Sequence, residues 1–273
     1  MTQIETGQGT GLGWSPRQVA RRVQWGLGAA GARLRTMTPR GPRFAGAYPD
    51  RTAALAALPA NLHGGYDDEA LADVSFPQMC TRTDYDYPLV FWLDRLLPEA
   101  RVVIDAGGHL GTKYIAFAPL LDLGRTDWVV YDLPGIVAAA RRRQAAGDLP
   151  AAITFASDPG SLPAADLFLA SGLLQYLDRP FADLLAALPV LPRHILLNKV
   201  ATRDGPELFT IERIGHGRVP YRIRNRAAFE AELDALGYTL QDSWEIGELS
   251  HVIPTHPWHG RSASRGYLLS RAE

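Results

Sequence analysis

From Arg101 onward the chain alternates two textures. The stretches "RVVIDA" (101–106), "DWVVYD" (127–132), "AITFA" (152–156), "DLFLAS" (166–171) and "HILLNKV" (194–200) are unbroken apolar runs rich in Val, Ile and Leu. That is the mark of strands buried on both faces. The spacing predicts helices over 112–121, 135–146, 180–188 and 226–236. Strands alternating with helices predict an α/β fold, a mostly parallel sheet with helices on both faces. Two late runs, "TLQDSWEI" and "GYLLSR", predict a closing hairpin. The segment 203–225 is too long for a simple strand-to-helix connection and is expected as a lid or substrate loop.

The first hundred residues read differently. Residues 1–13 are rich in Gly, Thr and Gln and are expected to be disordered. "SPRQVARRVQWGLGAAGARLRTM" opens on a Ser-Pro helix-start signal and keeps arginines on one side. It is expected as a packing arm or dimer contact, with a membrane-surface helix as the alternative. "TPRGPRFAGAYPD" reads as a linker, and 50–58 and 67–73 as short helical pieces. The expected division is an N-terminal arm and helical cap over 1–98 and a main domain over 99–273, with 203–225 as an insertion.

Composition narrows the partners. With 273 residues, 47% hydrophobic, and a formal charge of −1, the chain has no basic face that would predict nucleic-acid binding. No run approaches the roughly 18 apolar residues of a membrane span, and a secretory pattern is missing, so a cytoplasmic location is expected. The single cysteine, Cys80, forms no internal disulfide and suits a reducing compartment. Lys113 and Lys199 are the only lysines.

The chemistry concentrates in "VVIDAGGHLGTKY" (102–114), an apolar run that ends on an acid and opens into glycines before a helix. A phosphate-binding P-loop needs Gly-Lys-Ser/Thr, whereas the order here is Gly111-Thr112-Lys113. A dinucleotide turn is harder to dismiss, because Ala106, Gly108 and Gly111 imitate its spacing and Asp132 stands where a ribose-binding acid would. Asp105 is the difference. An acid at the strand tip repels a pyrophosphate seated on a helix N-terminus, but it suits the sulfonium and ammonium of S-adenosylmethionine. On that reasoning Asp105 selects the methyl donor. Asp132 is expected to accept hydrogen bonds from both ribose hydroxyls, or else to cap the following helix. Asp158 in "ASDPGSLP" is expected either at the adenine amino group or in an ordinary turn.

Together these residues resemble the Rossmann-like class I S-adenosylmethionine-dependent methyltransferases. "FAGAY", "GYDDEAL", "RTDYDYPLVFWL", "DAGGHLGTKY" and "SGLLQYL" further resemble a bacterial methyltransferase group associated with surface-polysaccharide or secondary-metabolite genes, over about residues 44–250. The resemblance implies a doubly wound, seven-stranded sheet with an N-terminal helical extension, and S-adenosylmethionine as cofactor. It implies that Gly107, Gly108 and Gly111 form the cofactor loop with Asp105, and that Asp132 and Leu133 hold the ribose end. Ser171, Gly172 and Gln175 would line the methionine part. It also implies that "RTDYDYP" folds over the donor, with Arg82 on the methionine carboxylate and Tyr85 or Tyr87 walling off the methyl group. His109 occupies a position where the class carries glycine, facing the cofactor's carboxylate, the acceptor or solvent.

Methyl transfer asks for alignment, exclusion of water and sometimes removal of a proton. The expected bases are His251, His109 and His216, with Tyr85, Tyr176, Lys199 and Tyr221 against a small-molecule acceptor. "HVIPTHPWH" could hold zinc by its three histidines, but its prolines break regular ligand spacing and no metal is expected. The expected activity is methylation of an oxygen on a small metabolite or sugar-like acceptor. The alternatives are N-methylation of an amine, a non-catalytic binding scaffold, and a nicotinamide-dependent oxidoreductase. A homodimer stays open.

Overall fold

The computed structural model describes residues 16–36, 38, 40–58, 76–215 and 217–271. The expected disorder over 1–13 and helix over 67–73, and His216, lie outside these residues. The helices are α1 (Pro16–Arg35), α2 (Arg51–Ala56), α3 (Tyr87–Leu96), α4 (Thr112–Phe117), α5 (Pro134–Ala145), α6 (Phe181–Ala186) and α7 (Arg226–Ala235). The strands are β1 (Phe44–Tyr48), β2 (Val102–Ala106), β3 (Asp127–Tyr131), β4 (Ile153–Ala156) and β5 (Leu167–Ser171). They continue with β6 (His194–Arg203), β7 (Leu208–Ile214), β8 (Gly217–Asn225), β9 (Tyr238–Ile246) and β10 (Ala263–Arg271).

The apolar runs pair as the pattern predicts. β4, β3, β2, β5 and β6 lie side by side and parallel. β10 then pairs antiparallel with β6 on one side and β9 on the other, forming the expected closing hairpin. These seven strands are a doubly wound α/β sheet. Because side chains alternate across a strand, β2 sends Val103 to one face and Ile104 to the other. On the first face Val103, Trp128 and Leu169 pack under α3, α4 and α5 through Leu93, Phe117 and Ile136. On the second, Ile104, Phe168 and Leu197 meet α6 and α7 through Phe181, Leu184 and Phe229. Trp128, Phe117 and Phe168 are fully buried, each contributing roughly 1.5–3 kcal/mol by leaving water.

Two expectations are corrected. The segment 203–225 is a regular hairpin, β7 against β8. "FAGAY" within the expected linker is β1, which adds antiparallel to β7. β8 joins this small sheet to the main one by pairing parallel with the end of β6, Thr202 to Arg224 and Arg203 to Asn225. Tertiary pairing makes β1 a strand. Phe44 and Tyr48 anchor a run of Ala and Gly with weak strand preference of its own, and the Gly46 amide donates to Thr255 Oγ1 at 2.8 Å. The arm α1 packs Ala29 and Ala32 inward and sets the Arg33 guanidinium 5.4 Å over the Trp258 ring. Among the described residues, no helix is long and apolar enough to cross a membrane.

Candidate active site

β3 and β4 follow β2 to one side, while β5 and β6 lie on the other. This reversal opens a crevice at the carboxyl ends of β2 and β5, the place where open α/β sheets bind ligands. The glycine turn after β2 forms one wall. Gly111 opens α4 in the left-handed region (φ 80°), and a Cβ there would lie 2.5 Å from Ile153 Cδ1. Gly108 passes so close over Asp105 that a Cβ would stand 2.5 Å from its Oδ2.

That contact fixes where Asp105 points. It is 1% exposed beneath the turn, on the Val103 face, and its Oδ2 accepts from Trp128 Nε1 at 3.3 Å. Burial pushes its pKa up to about 7. The expectation that Asp105 meets a cationic ligand is therefore corrected: strand parity turns it into the core, away from the crevice. Asp132 is the acid at the turn itself. Its Oδ2 accepts from the His109 amide at 2.8 Å and its Oδ1 from the Leu133 amide at 2.7 Å. It does not cap α5, whose N-cap is Leu133 with no side-chain bond. Three more amides of the turn are engaged, Gly107 N with Tyr131 O and both Gly111 N and Thr112 N with Gly108 O.

Beyond the turn lies a cavity of about 720 Å³. It brings together Tyr85, His109, Ser171, Gly172, Gln175, Tyr176, Lys199, Tyr221 and His251, all singled out in the sequence. Ser171 Oγ and Gln175 Oε1 are buried there with no hydrogen-bond partner among the described residues. The loop after β5 is held by Gly172 N donating to Asn198 O and Arg222 N donating to Gln175 O, at 3.0 and 2.8 Å.

Several expected residues stand elsewhere. Arg82 donates from Nη1 to the Ala116 carbonyl at 2.8 Å, at the end of α4, so a role on the donor carboxylate is corrected to a helix-end contact. Tyr87 is 56% exposed at the start of α3 and Leu133 is 41% exposed; both lie off the cavity lining, as do Gly107, Gly108 and Asp132 at the turn. Asp158 caps its own turn by accepting from Gly160 N at 3.1 Å. His256 and His259 also stand outside the lining. Among the described residues, no group of three His, Cys, Asp or Glu could hold a metal ion.

Four further lining residues were given no role from the sequence. Glu212, 1% exposed on β7, accepts from Arg43 Nε at 2.8 Å and from Tyr176 Oη at 2.6 Å. Arg43 lies 169 positions away, a separation no local pattern bridges. Lys113 and Asp86 form a buried ion pair of 2.6 Å. Burial works against the Asp86 carboxylate, but Lys113 holds its pKa below the ordinary value. The rarity of lysine in this chain was the one available hint of Lys113.

His251 packs face to face on Phe44, with ring centroids 3.8 Å apart. Its Nδ1 stands 3.3 Å from the Leu249 carbonyl and 3.2 Å from Ser262 Oγ. A carbonyl only accepts, so Nδ1 bears the hydrogen and the buried Nε2 bears the lone pair. Burial lowers its pKa, which leaves the ring neutral at pH 7.

No protein-family profile and no curated protein matches this sequence. Among solved structures it is similar to the glycopeptide N-methyltransferase MtfA complexed with S-adenosyl-L-homocysteine (16% identity, TM-score 0.48, 70% of this chain and 92% of that one). It is also similar to Burkholderia thailandensis 1,6-didemethyltoxoflavin-N1-methyltransferase with bound 1,6-didemethyltoxoflavin and S-adenosylhomocysteine (20%, 0.47, 79% and 94%). A third is an O-methyltransferase family protein from Burkholderia thailandensis (16%, 0.48, 95% and 74%).

Proposed function

We propose that the chain is an S-adenosylmethionine-dependent methyltransferase acting on an oxygen of a small-molecule acceptor. The carrying observation is the state of the glycine turn. A pyrophosphate needs amides aimed at it. Here four amides of the turn, those of Gly107, His109, Gly111 and Thr112, donate to protein oxygens instead. A nucleoside without phosphate suits those conditions. A carboxylate accepts up to about four hydrogen bonds, so the ribose hydroxyls can share Asp132 with its two amides. At the end of β5, the orphaned Ser171 Oγ and Gln175 Oε1 offer polar partners to an amino-acid group.

When bound, the donor supplies a methyl carbon on a sulfonium leaving group. The chain's own tasks are to align the acceptor, exclude water and accept a proton. Tyr85 walls the cavity on the side of the β5 and β6 ends, and Phe44 and Tyr221 wall it beside His251. His251, neutral with its lone pair on Nε2, takes the proton from an acceptor hydroxyl.

Calorimetry with S-adenosylmethionine, S-adenosylhomocysteine and NAD tests the donor assignment. The first two are expected to bind in the micromolar range and NAD not at all. Asp132→Ala is expected to weaken both by about tenfold or more, the scale of a lost charged hydrogen-bond pair. NAD binding as tightly as the other two would overturn the proposal.

A further inference from the structure

The cavity carries one more positive charge than its ion pairs account for. Arg43 pairs with Glu212 and Lys113 with Asp86. Asp86 bonds Lys113 through Oδ1 and the amide and hydroxyl of Thr83 through Oδ2, at 3.1 and 2.9 Å, and attracts Lys199 only through space, so the two lysines share one carboxylate. Glu248 is exposed at the rim. Lys199 has no hydrogen bond or ion pair among the described residues, and the Tyr85 ring, 5.0 Å from its Nζ, is its close neighbour.

The backbone is bent to aim this side chain. Between Leu197 and Val200, β6 carries one residue more than β10 does between Tyr267 and Arg265. Lys199 sits in that bulge at φ 61°, a left-handed conformation that costs a non-glycine residue on the order of 1 kcal/mol. Bulges beside active sites re-aim side chains. This one is braced on both sides, because Trp244 Nε1 donates to Asn198 Oδ1 at 3.1 Å and Asn198 Nδ2 donates to the Tyr85 carbonyl at 2.9 Å. The lysine stem then crosses Gly172, whose Cβ would lie 3.6 Å from Lys199 Cδ. A strained, braced lysine directed into a cavity needs a ligand as its counter-charge.

Resting on the methyltransferase reading, we infer that Lys199 is an anion subsite for the methyl acceptor, which is therefore an acid that docks an ionised oxygen, carboxylate or phenolate, on the Lys199 ammonium. Burial lowers the lysine pKa to about 8, so it is mostly charged at pH 7 and its charge is poorly hydrated. A sugar-like neutral acceptor leaves that charge unmatched. An acid acceptor neutralises it and also faces the sulfonium of the donor with favourable sign.

The test uses the full chain saturated with S-adenosylhomocysteine and titrated with benzoate, 4-hydroxybenzoate and the neutral 4-hydroxybenzyl alcohol, followed by ligand-observed NMR and calorimetry. Wild type is expected to bind the acids and not the alcohol. Lys199→Met is expected to lose the acids by about tenfold or more, and Lys199→Arg to keep them within about threefold, with S-adenosylhomocysteine affinity changed less than about twofold in both. Three results would overturn the inference. These are equal binding of alcohol and acids, no binding of either acid by wild type, and a Lys199→Met defect confined to S-adenosylhomocysteine, which would put the lysine on the donor's own carboxylate. If wild type fails to bind S-adenosylhomocysteine, the donor assignment falls, and the same acid titrations without it still judge Lys199.

Discussion

Asp105 stands near the middle of its own titration at neutral pH, sealed under Gly108 and touching Trp128 Nε1. Its folded pKa of about 7 lies above that of an unfolded aspartate, about 3.9. The folded chain therefore holds a proton between about pH 4 and 7 that the unfolded chain releases. Stability tied to this group is whole below pH 4 and declines as pH rises through 7. Asp105→Asn, which keeps an acceptor for Trp128, is expected to flatten that decline in thermal melts. Above pH 7 it should add on the order of 1–3 kcal/mol; an unchanged pH profile would show that the carboxylate is ionised when folded. His251 makes a second prediction at this scale. His251→Gln is expected to lower kcat on an oxygen acceptor by about 100-fold and remove the acidic limb of the pH profile, whereas an amine that arrives neutral would tolerate the change. The sequence marked both residues as chemical, but not their orientation. Strand parity and the packing of Gly108 and Trp128 turn Asp105 inward, and Phe44, from the other end of the chain, joins Leu249 and Ser262 in fixing the His251 ring.

At the scale of elements, the small sheet was the part least legible. β7 and β8 hide from a hydropathy reading because they bury charge: Glu212 is 1% exposed and Arg224 is 2% exposed. A burial pattern that includes ionised side chains reads as a loop. β1 was hidden by its Ala-Gly composition. By contrast the five parallel strands were plain, since each is a continuous apolar run buried on both sides. The Arg43–Glu212 pair ties the start of β1 to β7. Because the Arg43 side chain is 63% exposed, the pair itself is screened, and the cost of breaking it comes from the buried carboxylate left behind. Arg43→Ala is expected to destabilise the chain by roughly 1–2 kcal/mol. It should also speed amide hydrogen exchange across Phe44–Tyr48 while leaving β2 to β6 protected. Uniformly faster exchange would mean that β1 and the main sheet open as one unit.

For the whole molecule, the cavity is built from distant stretches of sequence: β1, the turn Asp84–Asp86, the ends of β5 and β6, the hairpin β7–β8 and the loop carrying His251. A ligand seated there links them. S-adenosylhomocysteine at 100 times its dissociation constant adds about 2.7 kcal/mol, so the melting midpoint is expected to rise by about 5–10 °C for a domain of this size. NAD should leave it unmoved. A shift with NAD and none with S-adenosylhomocysteine would reverse the donor assignment. The fold was legible at this scale because hydrophobic periodicity is local. The site was only half legible, because pairs such as Arg43 with Glu212 exist only after the sheet has closed.

β10 lies inside the sheet, between β6 and β9, yet it follows both of them along the chain. A ribosome making this protein therefore delivers β6 and β9 before the strand that joins them. Until β10 emerges, β9 has no partner in the sheet and the β6 edge that β10 will cover stays open, and the nascent chain must be kept from filling it with a neighbour's strand.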